Sequence, residues 1–443
     1  MKNLNVMQAI IIGVSIIAIV VAVVIFSTST GRSGGSSLGK TIIWGTIPES
    51  IFEEVLQKID NAGDEMSDVT YIEKDPVTFE NDLLKSMAEG TAPDIAVLNE
   101  KQILTNKNRL QVVPFKSFPL RDYQDLFIEE ASLLVTKDGL LGFPFLVDPI
   151  VLYYNKDILN DAGYSKPPQT WTEVLAITPT LTQKDSSFNI SKSSIALGSF
   201  DNISNAKDIF WMLVLQAGNP VIKRETVNEN KPESYVSIFT ESLNFTLNPA
   251  YAATNFFVQF SNPTKTVYSW NRSLPNSQTA FVSGDLAFYL GKASELETIK
   301  KLNPNLNFDI TLVPQSQSSN KKVTYGSMYT LVIPKTAKNV KGATAIIGIF
   351  TKTNAQNLFA QALGIASVRK DVLAISDSAN PYQVIFNKSA IIAQGILEPD
   401  STKMDAIIKE LVDTIVSGEY EVSEAIERAD SKITLLLQNE PQD

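Results

Sequence analysis

Beyond residue 40 the apolar positions follow two alternating periods. Thr41 to Trp44 is a β-branched and aromatic run of strand type, and Ile51, Phe52, Val55, Leu56 and Ile59 then recur at helical spacing as one apolar stripe. Val69 to Ile72 predicts a second strand, Phe79 to Ala88 a second helix and Ile95 to Leu98 a third strand. Strands alternating with helices predict a mostly parallel sheet with helices on both faces. Later, Val151 to Tyr154 reads as a strand, and Asp148-Pro149 ahead of it predicts a bend, because proline has no N–H to give a ladder. Ile158, Leu159 and Ala162 mark a short helix that Gly163 closes, and Pro167-Pro168 forbid its continuation. Thr170 with Glu173 three residues on forms a capping box for the next helix. A strand over Tyr329 to Ile333 and helices over Ile209 to Ala217, over Met404 to Val416 and from Ser423 complete the outline.

Before residue 40 the pattern differs in kind. Ala9 to Phe26 is an unbroken apolar and small-residue run, long enough to cross a bilayer. No Ala-x-Ala site follows Phe26, so an uncleaved membrane anchor over residues 1–26 is expected. Residues 27–39 are mostly Ser, Thr and Gly and predict a flexible linker. Gly34 to Thr41 spells the P-loop pattern G-x-x-x-x-G-K-T. A phosphate cradle needs a strand before it and a helix after it, whereas here a linker precedes and a strand-type run follows, so no nucleotide site is expected.

Composition narrows the chemistry. A chain of 443 residues exceeds what one core usually serves, which predicts about two lobes. The formal charge of −10 argues against nucleic acid as a partner. There is no Cys and no His, so disulfides, thiolate nucleophiles and the commonest metal ligand and general base are absent.

The block from Gly142 to Leu175, with Tyr154-Asn155-Lys156-Asp157 at its centre, resembles the signature of bacterial extracellular solute-binding proteins that feed ABC importers, a family including maltodextrin- and glycerol-phosphate-binding members. Phe79, Leu83, Ala88, Gly90 and Pro93-Asp94 match a second family pattern, Gly284 to Phe288 a third and Gly418 to Ala425 a fourth, in the family's order. The resemblance implies an α/β, two-lobed periplasmic-binding-protein-like fold with hinge crossings, here preceded by one N-terminal transmembrane helix. The crossings fall near Asp148-Pro149, near Gly326 to Pro334 and near Gln394 to Asp400, giving lobe 1 as 40–147 with 327–393 and lobe 2 as 148–326 with 394–443. It also implies an extracytoplasmic receptor, monomeric and without cofactor, metal or catalysis, that hinges shut on a small solute and docks on a permease. The lipid-bearing Cys of many relatives is missing, so the tether would be the helix itself.

Sheets of this kind bind ligands past the carboxyl ends of their strands. The candidates are therefore Trp44 at the end of the first strand and Thr46 after it, Asn99 and Glu100 after the third, Asp148 at the first crossing, and Tyr325 and Ser327 ahead of the strand at Tyr329. Asp208 and Trp270 join them, while Trp171 and Trp211 read as structural. By resemblance, a carboxylate seven residues before the Asn of Y-N-K-D accepts hydrogen bonds from sugar hydroxyls, and Asp148 stands seven before Asn155. The alternative is an Asp that only starts a turn. Where the maltodextrin branch stacks aromatic rings, this chain has Leu98, Asp208, Ser294 and Ile408, so a sugar or short oligosaccharide is expected rather than a long α-glucan. Three other readings stay open: a receptor for a peptide or cationic solute, a sensor subunit, and an anchored glycoside hydrolase using Asp148 with Glu100.

Overall fold

The computed structural model describes residues 39–61, 66, 68–225, 234–242, 248–317, 321–374 and 380–438. The expected anchor and all but the end of the linker lie outside the described residues. Among the described residues no helix is long and apolar enough to cross a membrane. Thr41, the last residue of the P-loop-like run, opens a strand, so no helix follows to aim its amides at a phosphate.

The described residues form the strands β1 Thr41–Gly45, β2 Val69–Glu73, β3 Ile95–Asn99, β4 Phe143–Asn155, β5 Gln183–Lys184, β6 Ile190–Ile195, β7 Ile222–Glu225, β8 Ser234–Ser237, β9 Leu286–Lys292, β10 Phe308–Thr311, β11 Thr324–Val332, β12 Ala366–Ser367 and β13 Ala393–Gln394. The path of the main sheet is β2-β1-β3-β11-β4-β9-β6-β5, with β10, β12 and β13 paired off it.

β1, β2 and β3 are parallel, and the helices Glu49–Asn61 and Phe79–Glu89 between them bury the apolar stripes that define them. β6 with β9 and β11 with β13 are parallel too, but the rest of the sheet departs from the expectation of a mostly parallel one. β11 runs antiparallel to β3 and to β4, and β4 runs antiparallel to β9, β10 and β12. Apolar periodicity reports which face of a strand is buried but says nothing of its direction.

β4 is the shared spine. Its first half, up to Pro149, lies between β11 and β12, and its second half, from Ile150, lies between β9 and β10. The expected bend at Asp148-Pro149 is replaced by one continuous strand of 13 residues. Proline is tolerated because it falls where β4 exchanges one set of partners for the other: Pro149 is the last residue opposite β11, and Ile150 the first opposite β9. β11 likewise begins earlier than its apolar run suggests. Thr324 and Tyr325 pair with β13, so Tyr325 and Ser327 lie within the strand and not ahead of it.

Local signals hold where the chemistry is local. Asn155 caps the helix Lys156–Asp161, Gly163 adopts φ +82°, and Thr170 with Glu173 forms the capping box of helix Trp171–Leu181. Trp171 is buried in that turn, and its indole N–H donates to Gln216 Oε1 at 2.6 Å. The Gln216 amide nitrogen donates to Pro314 O at 3.1 Å and Val323 O at 2.8 Å, so one buried side chain joins three segments. Gln216→Leu should leave the indole N–H and Pro314 O without partners and lower stability by roughly 2–4 kcal/mol, read as a lower urea midpoint with an unchanged slope.

Candidate functional site

The point where β4 changes partners is also where several strands and one helix deliver polar side chains. Asn99 ends β3 and caps the single turn Glu100–Gln102: its side chain accepts from the Lys101 amide, and Gln102 bonds back to the Asn99 amide. That turn directs Glu100 inward and Lys101 toward helix Ala206–Gln216. Lys101 forms an ion pair with Asp208, in the first turn of helix Ala206–Gln216. Lys292, the last residue of β9, reaches the other oxygen of Asp208 at 3.2 Å and donates to Ser327 Oγ of β11 at 2.9 Å. Asp148, in the middle of β4, accepts from the Ser294 amide at 3.0 Å and from its hydroxyl at 2.6 Å.

A second row lies beneath. Glu100 is fully buried and accepts from the Tyr325 hydroxyl at 3.1 Å and the Met328 amide at 2.9 Å. Lys207 pairs with buried Glu398 at 2.8 Å, and the Trp211 indole N–H donates to the same carboxylate at 3.2 Å.

Burial and pairing set the charge states. Burial pushes Asp208 up, but Lys101 and Lys292 outweigh it and hold the carboxyl well below the usual carboxylate range. Burial lowers Lys101, yet Asp208 and Glu398 outweigh that and keep it a firm cation. Burial raises Asp148 against the opposing pull of Lys292 and Ser294. Glu100 is pushed up to about 7 by burial, with Lys101 the chief opposing influence.

Asp148, Asn99, Glu100, Asp208, Tyr325 and Ser327 thus meet within one polar network. Trp44 and Thr46 stand at the far end of β1, half-buried, with the Lys74 ammonium 3.7 Å from the centre of the Trp44 ring. Trp270 does not join them: it is fully buried, and its indole N–H donates to Asn202 at 3.2 Å, so it has no face to offer a ligand. Trp211 is core, as its apolar neighbours in sequence imply. Sequence reasoning missed Lys101, Lys292, Lys207 and Glu398. Lys101 follows the carboxyl end of β3 and Lys292 is the last residue of β9, so the rule that selected Glu100 could have found them. Lys207 and Glu398 meet only through the fold.

A cavity of about 620 Å³ adjoins this network. Its lining includes Pro48, Ile51, Ser294, Gln361, Gln383 and Phe386. Ser294 touches both cavity and carboxylate, and the volume lies within the ordinary range for small-molecule sites.

A family model described as bacterial extracellular solute-binding protein matches residues 57–384. The chain belongs to this family. Family and fold neighbours alike are binding proteins rather than enzymes. Among curated proteins it is similar to the arabinooligosaccharide-binding protein of Halalkalibacterium halodurans, 35% identical over 100 residues that make up 21% of this chain and 22% of that protein. The chain therefore matches about a fifth of that relative's length. Among solved structures it is similar to a cyclo/maltodextrin-binding protein complexed with maltotetraose, with TM-score 0.71 and 16% identity over 93% of this chain and all of that one. It is also similar to the sugar-binding protein MalE of Xanthomonas citri, with TM-score 0.72 and 16% identity over 90% of this chain and 97% of that one. These likenesses are of fold, and the fold is two-lobed.

Glu100 makes the network sensitive to pH. Its folded pKa, about 7, lies above the ordinary carboxylate value, so the stability it lends is complete below the ordinary range and lost as pH rises through about 7. Glu100→Gln can keep both contacts, with the amide oxygen accepting from Met328 and the Tyr325 hydroxyl turned to accept. The variant should flatten the fall in stability between pH 4 and pH 8, a loss on the order of 3 kcal/mol in the parent, as followed by chemical denaturation across that range.

Proposed function

We propose that the chain is an extracytoplasmic receptor that captures a small polyhydroxylated solute, a sugar or short oligosaccharide, and presents it to the permease of an ABC importer. The observation that carries this reading is the network itself. Lys101 and Ser327 come from one side of the seam, Asp148, Asp208, Lys292 and Ser294 from the other, and each is a donor or acceptor suited to a hydroxyl. The lobes are taken as 40–147 with 327–393 and 148–326 with 394–443. β4, β11 and the stretch after β13 provide the crossings. Closure then favours whichever conformer lets a bound solute touch both sides.

Binding of arabinooligosaccharide and maltodextrin by the relatives supports a sugar. The non-aromatic residues at the positions where the maltodextrin branch stacks rings support a short one, since Leu98 and Ile408 are buried aliphatics and Ser294 is committed to Asp148. A hydrolytic pair of Asp148 and Glu100 is disfavoured because both Glu100 oxygens are already engaged. A strongly cationic ligand is disfavoured because Lys101, Lys207 and Lys292 sit among the carboxylates. Anchoring through residues 1–26, an outside body and a monomeric state complete the proposal.

Titration calorimetry against arabino-, gluco- and galacto-oligosaccharides of one to four units should find a ligand with greatest affinity at two or three units. Asp148→Asn should weaken it about 10–100-fold, the cost of one charge-assisted hydrogen bond. Binding by none of these sugars, or turnover of aryl glycosides lost on Asp148→Asn, would falsify the receptor reading.

A further inference from the structure

The folded body begins at a basic face. Gly39 and Lys40 lead into β1, and the Asn339 side chain, which caps helix Val340–Phe350, donates to Gly39 O at 3.3 Å, Lys40 O at 3.2 Å and Thr41 Oγ1 at 3.2 Å. Buried Asp94 completes the joint: one oxygen accepts from the Ile42 amide at 2.9 Å, the other from the Lys338 and Asn339 amides at 3.1 and 2.7 Å. Lys40, Lys335, Lys338 and Lys341 are gathered around the point where the chain enters the body, and all four are exposed.

These charges have no paired counter-ion among the described residues. None of the four lysines enters an ion pair there, Asp94 spends both oxygens on backbone amides, and the first turn of helix Val340–Phe350 holds no acid. No Asp or Glu stands anywhere between Asp309 and Asp371, in a chain whose formal charge is −10. A basic face on an acidic protein suits an anionic partner. The chain itself indicates which one. The apolar run Ala9 to Phe26 precedes this face, and residues 27–39 can reach no further than about 45 Å even if fully extended. A bilayer holding that run is therefore met by the lysines at high effective concentration.

We infer that Lys40, Lys335, Lys338 and Lys341 form a docking face for the anionic headgroups of the bilayer in which the chain is anchored, an inference that rests on the proposed anchoring through residues 1–26. Each ammonium is a point charge on a flexible stem, suited to many headgroups rather than to one pocket. β1 and β3 run parallel, with their amino ends, Thr41 and Ile95, at this face and their carboxyl ends, Gly45 and Asn99, toward the polar network. Seated on lipid, the body turns that network away from the bilayer, to the side from which a solute arrives. Salt weakens the contact, because exposed charges act only within about 8–10 Å at physiological ionic strength.

The chain has no Cys, so a single introduced one carries a fluorophore without background. Full-length Thr336→Cys, labelled at that exposed position, is reconstituted into vesicles of phosphatidylcholine alone or mixed with phosphatidylglycerol, and energy transfer to a headgroup-labelled lipid is measured. Transfer should be strong only where phosphatidylglycerol is present, and should fall as salt is raised. Lys40→Gln, Lys335→Gln, Lys338→Gln and Lys341→Gln should each weaken the headgroup association about fivefold, singly or combined, whereas Arg at the same positions should preserve it. Equal transfer from both vesicle types, insensitivity to salt, or undiminished transfer by the Gln variants at an unchanged melting temperature overturns the inference and leaves the anchor reading in place. Extraction of the chain from both vesicle types by alkaline carbonate overturns the anchor reading and this inference together.

Discussion

Asp208 lies buried between two lysines from distant parts of the chain, and the polar network depends on that arrangement. Lys101 is held by the turn after β3, Lys292 by the end of β9, and Asp208 by the first turn of helix Ala206–Gln216. A charge buried without its partner costs about 3–5 kcal/mol, so the three groups hold one another in place more firmly than any could be held alone. The position of Asp208 also benefits from the helix N-terminus, whose partial positive charge favours a carboxylate. Ser327, Asp148 and Ser294 then arrange themselves around that charged centre, and Glu100 is pressed into the row beneath.

The second constraint is β4, one strand that serves two sets of partners within the main sheet. If the crossing were a loose loop, the residues on either side of it could drift independently. As a strand hydrogen-bonded along its whole length, it fixes Asp148 relative to β11 on one side and to the β9 end on the other. Pro149 marks the handover and leaves no orphan donor there, because it has no N–H. If β4 serves as the proposed hinge, bending would be spread over several paired residues, which suits closure around a ligand better than free rotation about a single bond.

How much of this was legible beforehand follows the range of each interaction. The cap at Thr170, the stop at Gly163 and the stripes of the first two helices depend on residues three or four apart, and all were readable. The continuous β4 was not, because proline in isolation argues for a break, and only the exchange of partners explains its tolerance. Asp208 was named for an aromatic missing from its position, whereas its role in the structure comes from Lys101 and Lys292, 107 residues before it and 84 after it. Trp270 was an even choice between core and site, and Asn202 decides for the core by satisfying its indole. Pairings of that kind leave no periodic trace in a sequence.

The charge pattern carries its own argument about what the proposed seam would accept. Lysines and carboxylates there already neutralise one another, so a ligand with net charge would have to displace a buried partner and leave another ion exposed to a low-dielectric surrounding. A neutral polyhydroxyl compound faces no such obstacle. Each hydroxyl both donates and accepts, and so can enter between Lys292 and Ser327, or between Asp148 and Ser294, and replace one bond by two without stranding a charge. Aromatic platforms add affinity for long glucans by stacking successive rings, and their absence removes the benefit of each further sugar unit while leaving the polar centre unchanged. The proposed preference for a short neutral sugar thus rests on the paired charges of this centre and on the non-aromatic residues Leu98, Asp208, Ser294 and Ile408 where the maltodextrin branch stacks rings.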